Sequence, residues 1–409
     1  MTWMTTRKDL PITAKLPYKS TDPKVVGRVP VSKSIVFDWL EFMLATAKAS
    51  HLGYVAPHAA APEVELMFRL VGPHVDDTAT AFGVLASASQ FKDYVGTFFT
   101  GTVAAGLAVR SMVDEGYVWF AHFESLGSSS SVASSPDYVM LGPMAGVALL
   151  EAKGSAAKDE KTFVAAVRKG YREQVRPHLG HLVGGVTATH GYSVGTWMRF
   201  GKDAEMRIAH TATKPAGAAA SKASAADLLD MITRRRLLRQ NYAGAFTLAY
   251  GAELGVAMRT GQAPPIPLVF ARFEWRGKRW LSSLFSRHWW PREWLEDDAF
   301  FMMLQHGALR LPKFSGPVFA VENDIGKAAL GAFLNDPDDD VSVDIDIAPL
   351  DIESLRRGGR SGSSEFDRGG AVLPDGLALI EFPLGEHKID LIKWNIPMGQ
   401  FDRIGSFRA

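Results

Sequence analysis

The chain contains no cysteine among its 409 residues, and this absence excludes several kinds of chemistry. Disulfide scaffolds, thiolate zinc sites and cysteine nucleophiles all require that side chain. A reducing compartment fits a chain without disulfides, and we expect a cytoplasmic protein.

Long hydrophobic runs are absent as well. No stretch of about eighteen uncharged apolar residues occurs, so the sequence predicts no membrane span. Residues 1–24 mix charges with prolines and lack the apolar segment of a signal peptide. The formal net charge is only +1, which neither requires nor forbids a nucleic-acid partner, because a basic groove can lie on a neutral protein.

Hydrophobic residues make up 47% of the chain, so a large core can form. The length is greater than that of one average domain. We divide the sequence into a mainly helical N-terminal region at 1–95, an α/β core at 96–205 and a C-terminal accessory region of mixed structure at 206–409. An Ala/Ser-rich segment at 212–225 is the expected linker before the accessory region.

Hydrophobic periodicity predicts an α/β fold with a mixed sheet. Segment 32–56 has helical spacing, and segment 78–115 is rich in small residues that indicate one or two buried helices. The predicted elements that follow are strands at 117–126, 137–141 and 146–153, a helix at 158–179, and strands at 181–189 and 194–200. The core order is therefore helix, three strands, helix, two strands.

Two carboxylates stand at the ends of adjacent predicted strands. Asp137 begins one strand and Glu151 ends the next, so a tight connection between the strands brings the two side chains together. Lys153 lies two residues after Glu151 and therefore emerges on the same face of its strand. Carboxylates hold hard cations such as Mg²⁺, which activate water for phosphodiester hydrolysis, and a lysine can stabilise the charge that develops.

These residues resemble the motif of the PD-(D/E)xK nuclease superfamily, which has the restriction-endonuclease-like fold. Pro136-Asp137 resembles its PD element, and Glu151-Ala152-Lys153 resembles its (D/E)xK element. The resemblance implies that Asp137, Glu151 and the Ala152 carbonyl bind Mg²⁺ or Mn²⁺, and that Lys153 serves the attacking water. Gln174, in the helix that follows, resembles a glutamine that many members place near the site.

The resemblance covers residues 96–200 and implies a nucleic-acid partner, with DNA preferred over RNA. A role in DNA restriction, repair or defence follows at the level of the family only. The resemblance is compatible with a homo-oligomer. Many members carry an acidic residue in the first helix, whereas here the helix before residue 117 offers only Asp114 and Glu115, at its end.

Short motifs occur by chance, so other sites must be weighed. The chain has four D/E-x-K triplets, and only Glu151 ends an apolar strand. Pro374-Asp375 followed by Glu386-His387-Lys388 is a second pairing, but no helix follows it. The accessory region also has basic residues at Arg234, Arg235, Arg236 and Arg239, and five tryptophans at Trp275, Trp280, Trp289, Trp290 and Trp294, which could contact nucleic acid.

Two other classes of function stay open. Gly191-Tyr192-Ser193-Val194-Gly195 matches the nucleophile elbow of α/β-hydrolases, which would make Ser193 a nucleophile. Such an elbow leads into a helix, whereas residues 196–201 indicate a strand, so we interpret this segment as a glycine-bearing hairpin. The other class is a catalytically inactive nuclease fold that binds or scaffolds. His178, His181 and His190 fit core or solvated positions better than metal ligation.

Overall fold

The structure is a computed structural model. It describes residues 6–51, 69–212, 226–262, 264, 268–283, 317–335, 347–358, 369–381, 388–396 and 398–408. The chain divides into two compact units, with the principal boundary between Asn241 and Tyr242.

An eight-stranded mixed sheet forms the first unit. The strands of this unit are β1 Lys8–Tyr18, β2 Ser34–Phe37, β3 Gly83–Val84, β4 Trp119–His122, β5 Tyr138–Leu141, β6 Val147–Ser155, β7 Leu182–Val183, β8 Val186–Trp197, β9 Lys202–Asp203 and β10 Glu205–Thr211. Its helices are α1 Trp39–His51, α2 Asp93–Asp114 and α3 Glu160–Gly170. Short 3₁₀ turns lie at Gly72–His74, Ala86–Gln90 and Phe123–Ser125.

The strand order across the sheet is β2-β1-β10-β8-β6-β5-β4, with β7 paired to β8 and β3 paired separately to β9. The β1–β10 and β6–β8 pairs are parallel, and the other neighbours are antiparallel. From α2 onward the chain runs α2, β4, β5, β6, α3, the short β7 and then β8. The predicted α/β class with a mixed sheet is confirmed.

Glycines allow helices to approach both faces of this sheet. A Cβ on Gly154 of β6 would lie 2.1 Å from the carbonyl oxygen of Thr100, so α2 crosses that strand at backbone contact. A Cβ on Gly195 of β8 would lie 2.2 Å from Val167, and one on Gly191 would lie 2.4 Å from Val175. The segment that begins with α3 therefore packs directly on β8.

The N-terminal region contains strands as well as a helix, and β1 and β2 belong to the same sheet as the core. The helix predicted at 32–56 begins only at Trp39, because the N–H of Glu41 donates to Asp38 and the Glu41 carboxylate accepts from the N–H of Asp38. This reciprocal cap fixes the start of α1. Upstream, Ile35 and Phe37 are buried while Val36 between them is exposed, which is the alternation that a strand produces.

The hairpin expected around Gly191 is wrong, because β8 runs unbroken from Val186 to Trp197. It pairs with β6 on one side and β10 on the other, so its glycines serve packing and make no turn. The helix predicted at 158–179 is confirmed as α3 and the turns that continue it. A wider π-helical turn, Tyr171–Val175, follows α3, and a tighter 3₁₀ turn, Arg176–His178, comes after it.

The second unit contains a seven-stranded antiparallel sheet in the order β14-β15-β13-β12-β11-β16-β17. Its strands are β11 Val269–Trp275, β12 Lys278–Ser282, β13 Pro317–Glu322, β14 Gly370–Val372, β15 Leu377–Glu381, β16 Lys388–Asn395 and β17 Gln400–Arg408. The remaining helices are α4 Ala226–Ala249, α5 Ala252–Thr260, α6 Asn323–Leu330 and α7 Ile352–Gly358, with a π-helical turn at Gly331–Asn335. Helix α4 contains the boundary between the units.

Two of the five tryptophans belong to the core of the second unit. Trp275 and Trp280 are buried, with ring centroids 5.6 Å apart in an edge-to-face arrangement, so their rings are not free to stack on bases. Trp289, Trp290 and Trp294 lie outside the described residues, as do most of the 212–225 linker and the Glu386-His387 pair. Among the described helices, none combines the length and apolarity that crossing a membrane requires.

Candidate functional site

The structure brings Asp137 and Glu151 together at one end of the β5–β6 pair. Tyr138 is paired with Leu150, which places the preceding Asp137 beside the following Glu151. The main-chain N–H of Ala152 donates to Oδ2 of Asp137 at 2.8 Å. Glu151 is only 1% exposed and follows four buried apolar residues in the middle of β6, so an ionisable side chain lies within the sheet.

Lys153 contacts this pair. Its Nζ forms an ion pair with Oε1 of Glu151, and its side chain remains 33% exposed. The other oxygen, Oε2 of Glu151, is buried and accepts no hydrogen bond from the described residues. A buried carboxyl oxygen without a hydrogen-bond partner is costly.

The electrostatics of the pair disfavour two negative charges. Burial raises the pKa of Glu151 to about 8, and the neighbouring Asp137 carboxylate adds to that rise. Burial also raises the pKa of Asp137, while the N–H of Ala152, the Lys153 ammonium and His122 act in the opposite direction. Two close carboxylates of this kind accommodate either a shared proton or a cation.

Gly170, the last residue of α3, packs against the side chains of the site. A Cβ placed there would lie 2.8 Å from Oγ of Ser193, 3.1 Å from Cε of Lys153 and 3.3 Å from Cγ of Glu151. These three side chains therefore converge on one point beneath the helix. Gly170 carries no motif and could not have been selected from the sequence.

Gln174 holds the chain that leads into Asp137. Its Nε2 donates to the Ser135 carbonyl at 3.0 Å, and Nε2 of His178 is 2.8 Å from the Ser134 carbonyl. Both side chains therefore fix the segment just before Pro136. Gln174 is half-buried and does not contact the carboxylates through any hydrogen bond that the structure describes, so it acts on them through this segment.

The acidic positions at the end of α2 are engaged elsewhere. Asp114 pairs with Arg110, and the Glu115 carboxylate accepts from the main-chain N–H groups of Val31 and Ser32. Neither supplies the first-helix acid that many PD-(D/E)xK nucleases have. Across the described residues, no group of three or more His, Cys, Asp and Glu side chains is placed to hold a metal.

The nucleophile elbow at Ser193 is wrong, because that residue lies in the middle of β8 and is fully buried.

The three histidines do not form a cluster that could hold a metal. His190 is buried and hydrogen-bonded to Tyr117 and Thr189, and burial lowers its pKa to about 4, so it stays neutral. Both His178 and His190 are thus core histidines, as expected.

No protein family, no characterised protein and no solved structure matches the chain.

The structure also bears on the other residues that the sequence offered for contact with nucleic acid or metal. Arg235 and Arg239 on α4 are buried, whereas Arg234 and Arg236 face solvent. In the second pairing, Asp375 is buried and its carboxylate accepts from the N–H of Leu377 in a turn, at 3.4 Å.

Proposed function

We propose that this chain is a divalent-metal-dependent nuclease that hydrolyses phosphodiester bonds, with DNA preferred over RNA. The observation that carries the proposal is the buried Glu151 beside the half-buried Asp137, with a lysine on one Glu151 oxygen and no partner on the other within the described residues. Such an arrangement costs stability in the absence of a ligand, and function is the usual reason that proteins retain it.

The donor set fits a hard cation. Two carboxylates and a main-chain carbonyl are oxygen ligands of the kind that Mg²⁺ and Mn²⁺ take, the remaining positions being filled by water. Asp137, Glu151 and the Ala152 carbonyl would hold the ion. Bound there, such an ion would polarise the phosphate and lower the pKa of a bound water.

The protein's own groups have separate tasks in this proposal. Lys153 orients the attacking water or stabilises the extra negative charge on the oxygens of the pentacovalent phosphate, since its ammonium contacts Glu151 and its side chain is 33% exposed. Gln174 holds the segment that positions Asp137. Arg168 of α3 and, in the turns that follow it, Arg172 and Arg176 are exposed. Their positive charges suit contact with a phosphate backbone.

The order of elements supports the same proposal. A helix, three antiparallel strands, a helix and a strand parallel to the third is the arrangement expected of a restriction-endonuclease-like core. Two acidic residues side by side where the pairing of the second and third strands ends is the position that the PD-(D/E)xK resemblance implies. Roles in restriction, repair or defence rest on that resemblance alone.

A cleavage assay tests the proposal. The full chain is incubated with plasmid, linear and single-stranded DNA and with RNA, in Mg²⁺, in Mn²⁺ or in EDTA. Lys153→Ala is the test variant. Lys24→Ala is the matched control, because Lys24 ends the triplet Asp22-Pro23-Lys24 and is exposed.

We expect metal-dependent cutting by the wild type and by Lys24→Ala, and a loss of at least about a hundredfold in Lys153→Ala. Cutting that survives in Lys153→Ala would remove this site from the reaction. A wild type that cuts nothing, yet binds nucleic acid equally with and without metal, would favour the catalytically inactive binding module.

A further inference from the structure

Ser193 presents a buried hydroxyl that the proposed chemistry does not use. It lies opposite Glu151 in the parallel β6–β8 pair and is 0% exposed. Its Oγ makes no hydrogen bond within the described part of the chain. Burying a hydroxyl in this way costs free energy, so its presence requires an explanation.

Packing does not explain the serine. Its neighbours on the same face of β8 are Gly191 and Gly195, which leave room for Val175 and Val167. An alanine at position 193 would fill the same space without desolvating a hydroxyl. The oxygen itself is therefore the feature that distinguishes Ser193 from the small residues on either side.

The position of the hydroxyl indicates its use. Ser193 Oγ and the Lys153 Cε both lie close to the same point beneath Gly170, 2.8 Å and 3.1 Å from an ideal Cβ there. The lysine ammonium is one bond beyond Cε, and it pairs with Oε1 of Glu151. The lysine side chain therefore lies between Glu151 Oε1 and the region of the Ser193 hydroxyl.

A cation held by Glu151 competes for the oxygen that Lys153 occupies. A carboxylate that turns both oxygens to a divalent ion gives up its ion pair, and the ammonium next to that ion is also repelled. The ammonium, on a side chain that is 33% exposed, then exchanges its carboxylate partner for water and for any protein acceptor within reach. The Ser193 hydroxyl, which has no other partner among the described residues, lies near Cε and can accept from that ammonium.

We infer that Ser193 is a positioning residue, whose hydroxyl accepts a hydrogen bond from the Lys153 ammonium when Glu151 turns its carboxylate to a divalent cation. The inference rests on the proposed function and names the partner that orients its lysine. In the absence of cation the hydroxyl has no role, which agrees with its lack of partners.

Calorimetric titration with Mn²⁺ tests this inference without any need for turnover. The full chain is compared as wild type, Ser193→Ala, Lys153→Ala and the double variant. Because the Lys153–Ser193 bond forms only with the cation bound, Ser193→Ala should bind Mn²⁺ about tenfold more weakly. In the Lys153→Ala background the same change should have no effect.

Two further variants separate this role from damage to the fold. Thr196→Val removes another buried hydroxyl of β8 that has no partner among the described residues, and it should leave the Mn²⁺ affinity unchanged. Ser193→Thr keeps the hydroxyl and should restore most of the affinity.

Equal Mn²⁺ affinity in the wild type and Ser193→Ala would overturn the inference and leave the proposed nuclease intact. The same loss in the Lys153→Ala background would also overturn it, because the lysine would then play no part. A wild type that binds no Mn²⁺ would overturn the proposed metal-dependent function together with the inference.

Discussion

The main-chain N–H of Ala152 donates to Oδ2 of Asp137 across the β5–β6 pair, at 2.8 Å. One backbone bond therefore holds the Asp137 carboxylate beside Glu151, whatever side chain stands at position 152. The bond brings two acidic groups closer than their charges favour, since the Asp137 charge raises the pKa of Glu151.

Asp137→Asn should make the metal-free protein more stable while it abolishes cleavage. The amide keeps an acceptor for the Ala152 N–H but removes the charge that opposes ionisation of Glu151. We expect the free energy of unfolding at about pH 8 to rise by roughly 1 kcal/mol, measured by urea denaturation in EDTA. A destabilised variant would show that Asp137 is an ordinary structural carboxylate.

Stability in EDTA should fall as pH rises across the neutral range. The folded pKa of Glu151, about 8, lies above its ordinary value of 4.5. Folding therefore retains a proton that the unfolded chain has lost, and stability present below pH 4.5 is lost as pH rises towards 8. Urea denaturation at several pH values should show a loss on the order of a few kcal/mol, and Glu151→Gln should flatten it.

Added Mg²⁺ or Mn²⁺ should reverse that loss most strongly at high pH, where no proton competes for the carboxylates. The melting temperature with and without cation, followed at about pH 6 and about pH 8.5, measures the effect. An increment that is the same at both values, or that persists in Glu151→Gln, would place the cation elsewhere.

Gly154→Ala should destabilise the first unit by roughly 1–3 kcal/mol, because its Cβ would meet the Thr100 carbonyl and the backbone of α2 would have to move. Gly101→Ala is the matched control. It lies one residue further along α2, where a Cβ would meet nothing within 4 Å, and should stabilise the helix by up to about 1 kcal/mol. Chemical denaturation of both variants decides, and equal effects would contradict the close crossing.

Gln174→Ala should slow cleavage more than it lowers stability. Loss of one hydrogen bond to the Ser135 carbonyl costs about 1 kcal/mol, but it frees the segment that sets the position of Asp137. We expect a fall of about tenfold or more in turnover with DNA binding preserved. A turnover equal to that of the wild type would make Gln174 a purely structural residue.

Local patterns in the sequence were sufficient for the core elements from α2 to α3. Apolar runs bounded by turn residues indicated β5 and β6, and the amphipathic period indicated the helix after Lys153, which begins where Asp159 accepts from the N–H of Thr162. The alternation of strands along the chain also placed Asp137 and Glu151 on adjacent ends. These features depend on neighbours in the chain, so periodicity can reveal them.

The role of Gly191-Tyr192-Ser193-Val194-Gly195 depended on the tertiary structure. Glycines usually mark turns, yet here they lie within a straight strand because α3 and the turn after it press upon that face. A sequence contains no direct record of which helix covers which strand, so hairpin, elbow and packed strand look alike.

The sequence by itself determined the class of the fold, the order of the core elements and the two carboxylates with their lysine. Only the tertiary structure decided that Glu151 is buried with one oxygen lacking a partner, that Gly170 closes over it, and that Ser193 stands beside it. The reason is physical. Desolvation and the convergence of side chains arise from contacts between distant segments, and a local pattern fixes neither of them.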